Sequence, residues 1–135
     1  MKQIITNIQI AFAALGGFLG YWLGGLDGFL IALLAFVAID YLTGVMVAIV
    51  QKKLSSEVGF RGICKKVLIF ALVAVGHIID TQLLKDGSVI RTAVIFFYLS
   101  NEGISILENA SIIGLPVPEK LKSVLEQLKE DKKDG

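Results

Sequence analysis

Long apolar stretches alternate with short polar ones along this chain, in a pattern that predicts four membrane helices. The apolar stretches run over residues 4–25, 29–50, 67–84 and 89–113. A helix needs roughly 20 predominantly apolar residues to cross a bilayer, and no charged residue lies between Lys2 and Asp27. The sequence therefore predicts an all-α integral membrane helical bundle over residues 1–114. A charged amphipathic C-terminal helix is expected in the remainder, residues 115–135.

Two of the stretches allow a second interpretation. The first follows Lys2 and contains an Ala-Phe-Ala triplet at residues 11–13, which imitates the cleavage site of a secretory signal. Its apolar run exceeds the roughly 7–15 residues of a signal core, which favours a retained helix. In the fourth stretch, Arg91 and Glu102 bracket ten uncharged residues. That is too short to face lipid all round, so three crossings with an interfacial fourth helix are the alternative.

The tail repeats apolar residues at helical spacing. These residues are Val117, Leu121, Val124, Leu125 and Leu128. Like charges stand four residues apart in the pairs Glu126–Glu130 and Lys129–Lys133, which predicts a loosely held end. The tail is expected either to act as a solubilising cytoplasmic segment or to regulate assembly.

Composition places the chain among membrane proteins and excludes several chemistries. Hydrophobic residues make up 55% of it and charged residues 19%, against about 25% charged in soluble domains. The one cysteine, Cys64, cannot form an internal disulfide or a cysteine-rich metal site. His77 and Asp80 supply two metal ligands without a third. No nucleophile elbow, phosphate loop or metalloprotease motif is visible, so no enzyme activity, cofactor or metal is expected.

Basic residues concentrate between the second and third apolar stretches. They are Lys52, Lys53, Arg61, Lys65 and Lys66. Short loops rich in lysine and arginine stay on the cytoplasmic side, so both termini are expected there. The same residues are expected to contact anionic lipid rather than nucleic acid.

Glycines form a row on the first predicted helix. Gly16, Gly20, Gly24 and Gly28 follow one another at four-residue spacing. In a membrane helix, such a row lets another backbone approach closely. The row is expected to pack against the second helix of this chain or against another copy. Gly44, on the second helix, is a further candidate for helix packing.

Ionisable and amide side chains interrupt the apolar stretches. They are Asp40, His77, Asp80, Asn101, Glu102, Glu108 and Asn109. A charge at the bilayer centre costs at least ~2.5 kcal/mol, so these groups are expected to meet one another, protonate or line water. Antiparallel helices would place Asp40, His77 and Glu102 at similar depth. A static buried network, the polar strip of an oligomeric pore, and a proton or substrate relay all remain open.

Two runs near the end of the fourth stretch resemble a known family. Residues 98–110, reading YLSNEGISILENA, and residues 114–118, reading GLPVP, closely resemble the C-terminal signature of the phage holin family, which includes the toxin-secretion holins of clostridia. Residues 40–44 and the polar segment 55–66 resemble its central motifs. The likeness extends from about residue 30 to residue 129.

This resemblance implies a function that composition alone does not give. Holins accumulate in the bacterial cytoplasmic membrane as multi-pass proteins with a charged cytoplasmic C-terminus. They oligomerise and permeabilise that membrane, which releases an endolysin for host cell lysis or a toxin, without requiring direct contact with either. The family carries no agreed catalytic residues. The alternatives are a small proton-coupled transporter that uses the buried carboxylates and a non-conducting scaffold whose tail binds a partner.

Overall fold

Five helices joined by short turns make up the chain as the computed structural model describes it, with the backbone of residues 1–134 and the side chains of residues 1–127. The helices are α1 (Lys2–Leu23), α2 (Gly28–Val50), α3 (Ser56–Ile78), α4 (Val89–Ile113) and α5 (Glu119–Asp134). A π-helical stretch, Ile79–Leu84, continues α3 directly. No strand occurs within residues 1–134, and the predicted all-α fold is confirmed.

Four of these helices have the length and composition of membrane spans. They comprise 22, 23, 29 and 25 residues, where the third is α3 together with its π-helical continuation. At 1.5 Å per residue, roughly 20 residues cover the hydrocarbon core of a bilayer. The predicted membrane bundle of four apolar helices is therefore confirmed.

The core of the bundle lies between α2, α3 and α4. Leu33 of α2, Val73 of α3 and Ile95 of α4 are completely buried and belong to one apolar cluster. Successive helices reverse direction, so α4 runs parallel to α2 and antiparallel to α3. Phe29 near the start of α2 accordingly stacks edge-on against Phe96 in the first half of α4.

Helix α1 stands largely apart from this core. Residues 1–19 are all exposed, and α1 meets the rest of the bundle through α3 and through Leu23 at its own end. A Cβ atom on Gly16 or Gly20 would meet no atom of another element within 4 Å. Packing of the glycine row against α2, one of the two expected arrangements, is therefore absent from the described residues.

Helix α3 begins at Ser56, well ahead of the apolar stretch predicted to start near residue 67. The Ser55 hydroxyl caps the helix by accepting a hydrogen bond from the Val58 backbone N–H at 3.1 Å. Glu57 lies in the first turn, where a carboxylate interacts favourably with the helix dipole. The polar connection thus shortens to residues 51–55, and Lys66 is a helical residue.

Helix α5 folds back along α4. Gly114 ends α4 in a left-handed conformation with φ of 109°, which favours glycine at the point of reversal. Leu125 is only 6% exposed and packs against α4 beside Gly103. The expected loose end of the tail concerns side chains beyond residue 127, outside the described ones. The boundary between the units 1–114 and 115–135 stays a prediction.

Candidate functional site: a charged cluster inside the bundle

A lysine joins two carboxylates at the middle of the bundle. Lys66 of α3 donates a hydrogen bond from Nζ to Oδ2 of Asp40 on α2. The same Nζ lies 2.9 and 2.8 Å from Oε1 and Oε2 of Glu102 on α4. Asp40 is 7% and Glu102 5% exposed. Three helices that share a core are thus also tied by charge.

Amide and hydroxyl groups complete this cluster toward the end of α4. Asn109 donates from Nδ2 to Asp40 Oδ1 at 3.1 Å and to Thr43 Oγ1 at 2.9 Å. Thr43 in turn donates to the Ile39 carbonyl oxygen at 2.9 Å. Within the described side chains, every buried nitrogen and oxygen has a hydrogen-bond partner. A single subunit therefore satisfies the polar groups that it buries.

The charge balance of the cluster is unequal. One ammonium group, Lys66, faces two carboxylates, Asp40 and Glu102. Charges attract strongly where water is excluded, and an ion left there without a counter-ion is costly. Lys66 is therefore the shared counter-ion that stabilises both buried carboxylates.

Grooves between the helices reach the cluster from two sides. The first, of about 220 Å³, is bounded by α2, α3 and α4 and includes Tyr41, Gly44 and Asn109. The second, of about 470 Å³, opens between α3 and α4 and includes Asn101. Lys66 borders both grooves. The charges therefore lie just beneath the surface of the subunit, where a rearrangement of helices could uncover them.

A second polar cluster lies at the opposite end of the bundle, around Arg91. This buried side chain donates from Nε to the Leu23 carbonyl oxygen at 2.5 Å and from Nη2 to that of Gly25 at 2.9 Å. Its Nη1 lies 2.7 Å from Oδ2 of Asp27. The hydrogen bond from Arg91 holds the pKa of the Asp27 carboxyl below its usual value. Arg91 thereby ties the turn between α1 and α2 to the start of α4.

Asp80 belongs to this second cluster. Its two carboxylate oxygens accept hydrogen bonds from the backbone N–H groups of Ile90 and Arg91 at 2.9 and 2.8 Å. A carboxylate in this position satisfies donors that the first turn of α4 leaves free and opposes the positive end of its dipole. Asp80 therefore acts at the N-terminus of α4, away from the Lys66 cluster.

His77 lies near Arg91 as well, and its expected depth is wrong. A Cβ atom on Gly24 would approach His77 Nδ1 to 2.7 Å, which places the imidazole beside the first turn of the chain. Along α3, His77 is about 16 Å from Lys66 at 1.5 Å per residue. Asp40 and Glu102 do share a depth, but Lys66, rather than His77, is the third member.

The other candidate residues lie outside both clusters. Glu108 is exposed and borders a groove between α4 and α5. Lys52 and Lys53 are exposed after the end of α2, and Lys65 is exposed on α3. Arg61 pairs with Glu57 one turn earlier at 3.2 Å. Across the described residues, no three histidine, cysteine or acidic side chains are grouped as metal ligands.

Lys66 is the site residue that the sequence pattern misplaces, because the pattern groups it with the loop lysines. A signal for its position was present in the spacing of the apolar residues that follow it. Ile69, Val73 and Gly76 are buried on one face of α3, and Lys66 continues that face backward at helical spacing. Lys65, one residue earlier, falls off the face and is exposed.

Fold and cluster together define an α-helical integral membrane protein with a charged network inside its bundle. The chain belongs to the bacteriophage holin family, whose sequence model matches residues 17–130. It is 44% identical to a 14.9 kDa Clostridium perfringens protein in the nagH 3′ region over 133 residues, 98% of this chain and the whole relative. It is 36% identical to Bacillus subtilis YqxH over 130 residues, 96% of this chain and 91% of the relative. No solved structure is significantly similar to it.

Proposed function

We propose that this chain is a holin that oligomerises in the bacterial cytoplasmic membrane and opens holes that release an endolysin or a toxin. The observation that carries the proposal is the charged cluster of Lys66, Asp40 and Glu102 between three span-length helices. A holin must leave the membrane sealed while its subunits are separate, and it must make the membrane permeable once they assemble. A network closed within one subunit meets the first need, and the same groups facing a water-filled lumen would meet the second.

The basic residues support a topology with both termini in the cytoplasm. Lys52, Lys53, Arg61 and Lys65 are exposed around the connection between α2 and α3. Because neighbouring helices reverse direction, the start of α1 and the connection from α4 to α5 lie at the same end of the bundle. An end of the bundle that is rich in lysine and arginine stays on the cytoplasmic side, where anionic lipid also attracts these side chains.

Self-association is the interaction that this function requires. The glycine row of α1, including Gly16 and Gly20, is open within the subunit and offers one surface for another copy. The holin family is not an enzyme family, and we assign no catalytic residue, cofactor or metal. The endolysin or toxin would pass through the hole without binding the chain.

Inducible expression in a bacterium tests the proposal. Membrane potential and the release of a cytoplasmic peptidoglycan hydrolase are followed together over time. A holin gives a delayed, abrupt loss of potential followed by appearance of the hydrolase outside the membrane. Glu102→Gln and Asp40→Asn are expected to change the delay. Asp86→Asn is the matched control, because Asp86 is an exposed acid outside the cluster.

The competing function is a small proton-coupled transporter that uses the same buried carboxylates. A transporter leaves the membrane potential intact through high expression and shows saturable exchange of protons for a substrate. That result would remove the pore as the function of this chain. A delay that neither cluster variant alters would instead remove the charged cluster from the mechanism of opening.

A further inference from the structure

Charged residues on two different faces of the subunit complement each other at the same depth in the membrane. We infer that the acidic groove between α4 and α5 of one copy receives the basic face of α3 from a second copy, through Glu108 and Arg61. This inference deepens the proposed function, on which it rests, because it identifies how the subunits meet.

The acidic surface is an open groove of about 730 Å³ between α4 and α5. Glu108, Glu119 and Glu126 border it together with one basic residue, Lys122. Glu108 is exposed and forms no ion pair with the described side chains. It also lies within α4, before the helix ends at Ile113. A carboxylate facing lipid there is unfavourable, so this surface requires a cationic partner or water.

The basic surface is the outer face of α3. Arg61 and Lys65 stand four residues apart on it, and both are exposed. The described partner of Arg61 is Glu57, in a pair whose side chains are 69% and 81% exposed. Such an exposed pair uses few of the five guanidinium donors and leaves the others available. Arg61 can therefore bind a second carboxylate without losing Glu57.

The two surfaces lie at matching depth. Lys66 and Glu102 are in direct contact and provide a common reference level. Counting 1.5 Å per residue toward the cytoplasmic end, Arg61 lies about 7.5 Å above that level and Glu108 about 9 Å above it. Two copies standing side by side in one membrane therefore bring Arg61 and Glu108 together without a vertical shift.

The geometry of the contact determines the kind of assembly. Because the acidic and basic surfaces are different faces of the same chain, each copy can use both at once. A contact of this kind is repeated from copy to copy, and it closes into a ring or continues as an open chain. A two-fold contact would instead end at a dimer.

Disulfide crosslinking of the full-length protein in vesicles tests this contact. Cys64 is exposed on α3, and Ile104 borders the acidic groove. Each lies about 3 Å above the reference level by residue count. In uncharged phosphatidylcholine vesicles, oxidised Ile104→Cys protein is expected to form a ladder of dimers, trimers and larger species. Wild type, Cys64→Ser/Ile104→Cys and Leu42→Cys, with its new thiol on α2, are expected to form no ladder.

Charge reversal in the Ile104→Cys background then identifies the pair. Glu108→Arg or Arg61→Glu alone is expected to lower the fraction larger than dimer about tenfold, since like charges then face each other. The double reversal restores attraction and is expected to restore the ladder, while Lys53→Glu leaves it unchanged.

A ladder that survives either single reversal, or a double reversal that restores nothing, would overturn the inference. Crosslinking that requires anionic lipid and falls equally with Lys53→Glu and Arg61→Glu would assign the basic face to lipid, and the inference would be wrong. If the ladder forms as expected but the vesicles retain an enclosed enzyme, the proposed hole fails while the subunit contact stands.

Discussion

Leu125 of α5 occupies the space that the absent side chain of Gly103 leaves on α4. A Cβ atom on Gly103 would lie 2.8 Å from Cδ2 and 2.9 Å from Cδ1 of Leu125. Phe36 of α2 closes the same notch, with its Cε2 at 3.1 Å from that position. Helix α5 therefore packs against α4 at the residue that follows Glu102, a member of the charged cluster.

This notch predicts coupling between Gly103 and Leu125. Gly103→Ala should push Leu125 outward and loosen α5, while Leu125→Ala should lose about 2 kcal/mol or more of packing. The smaller side chain at 125 makes room for the methyl at 103. The double variant should therefore lose less unfolding free energy than the sum of the two single losses.

Trypsin cleavage at exposed Lys120 and Lys122, together with unfolding in micelles, measures both effects. Gly28→Ala is the control, because a Cβ atom there meets nothing within 4 Å. Strictly additive effects of the two substitutions would show that the notch does not hold α5.

Neighbouring lysines give a second prediction. Lys66→Met removes the counter-ion of two buried carboxylates and should destabilise the protein by about 3–5 kcal/mol. Lys65→Met makes the same chemical change at an exposed position and should alter stability by no more than about 0.5 kcal/mol. Titration with a denaturing detergent measures the unfolding free energy of both.

Neutralising the acids should rescue the loss. Lys66→Met combined with Asp40→Asn and Glu102→Gln leaves no ion in the Lys66 cluster and is expected to recover most of the stability. Equal effects of Lys66→Met and Lys65→Met would contradict the assigned charge balance.

The pair of Asp27 and Arg91 predicts a pH dependence. Hydrogen bonding from Arg91 lowers the pKa of the folded-state Asp27 carboxyl. Its contribution to stability is therefore fully present above the unfolded-state pKa of about 3.9 and is lost as pH falls through the lower folded-state value.

Comparison with Asp27→Asn isolates this effect, because the amide oxygen can still cap α2 at Leu30. The stability advantage of wild type over Asp27→Asn, measured by unfolding in micelles, should shrink as pH is lowered from about 6 toward 2. An advantage that is constant or grows in this range would refute the role of the charge pair.

Adjacent glycines give a fourth prediction. Gly24 and Gly25 have φ of 89° and 98°, so alanine at either position should cost about 1–2 kcal/mol in backbone strain. A Cβ atom on Gly24 would also lie 2.6 Å from Arg91 Nε, whereas one on Gly25 meets nothing within 4 Å. Gly24→Ala should therefore lower Tm distinctly more than Gly25→Ala. An equal fall in Tm would mean that Arg91 moves aside freely.

Local signals account for the parts of this fold that were predictable from sequence. The polar turn at residues 26–28 predicts a break between two helices, and Asp27 caps α2 there through the Leu30 N–H at 2.9 Å. The hydropathy pattern places the start of α3 too late, because the first residues of this helix, which Ser55 caps, are polar. The hydropathy pattern detects apolar runs, but a helix extends wherever its backbone is satisfied.

The charged cluster as a whole cannot be predicted from the hydropathy pattern along the chain. The sequence does predict the shared depth of Asp40 and Glu102, since both lie near the middle of their helices. Lys66 pairs with residues 26 and 36 positions away, so its role follows from the rotation of α3 rather than from local composition. The packing site of Leu125 likewise forms only when α2 and α4 bring Phe36 and Gly103 together.

The Arg91 cluster has a consequence for the order in which the chain is made. Arg91 follows Asp27 by 64 residues and Leu23 by 68. When α1 and α2 enter the membrane, the carboxylate and carbonyl groups of their turn have no guanidinium to bind. The first hairpin is therefore secured only after synthesis reaches α4, and a nascent chain that stalls before Arg91 lacks the tie that fixes its first turn.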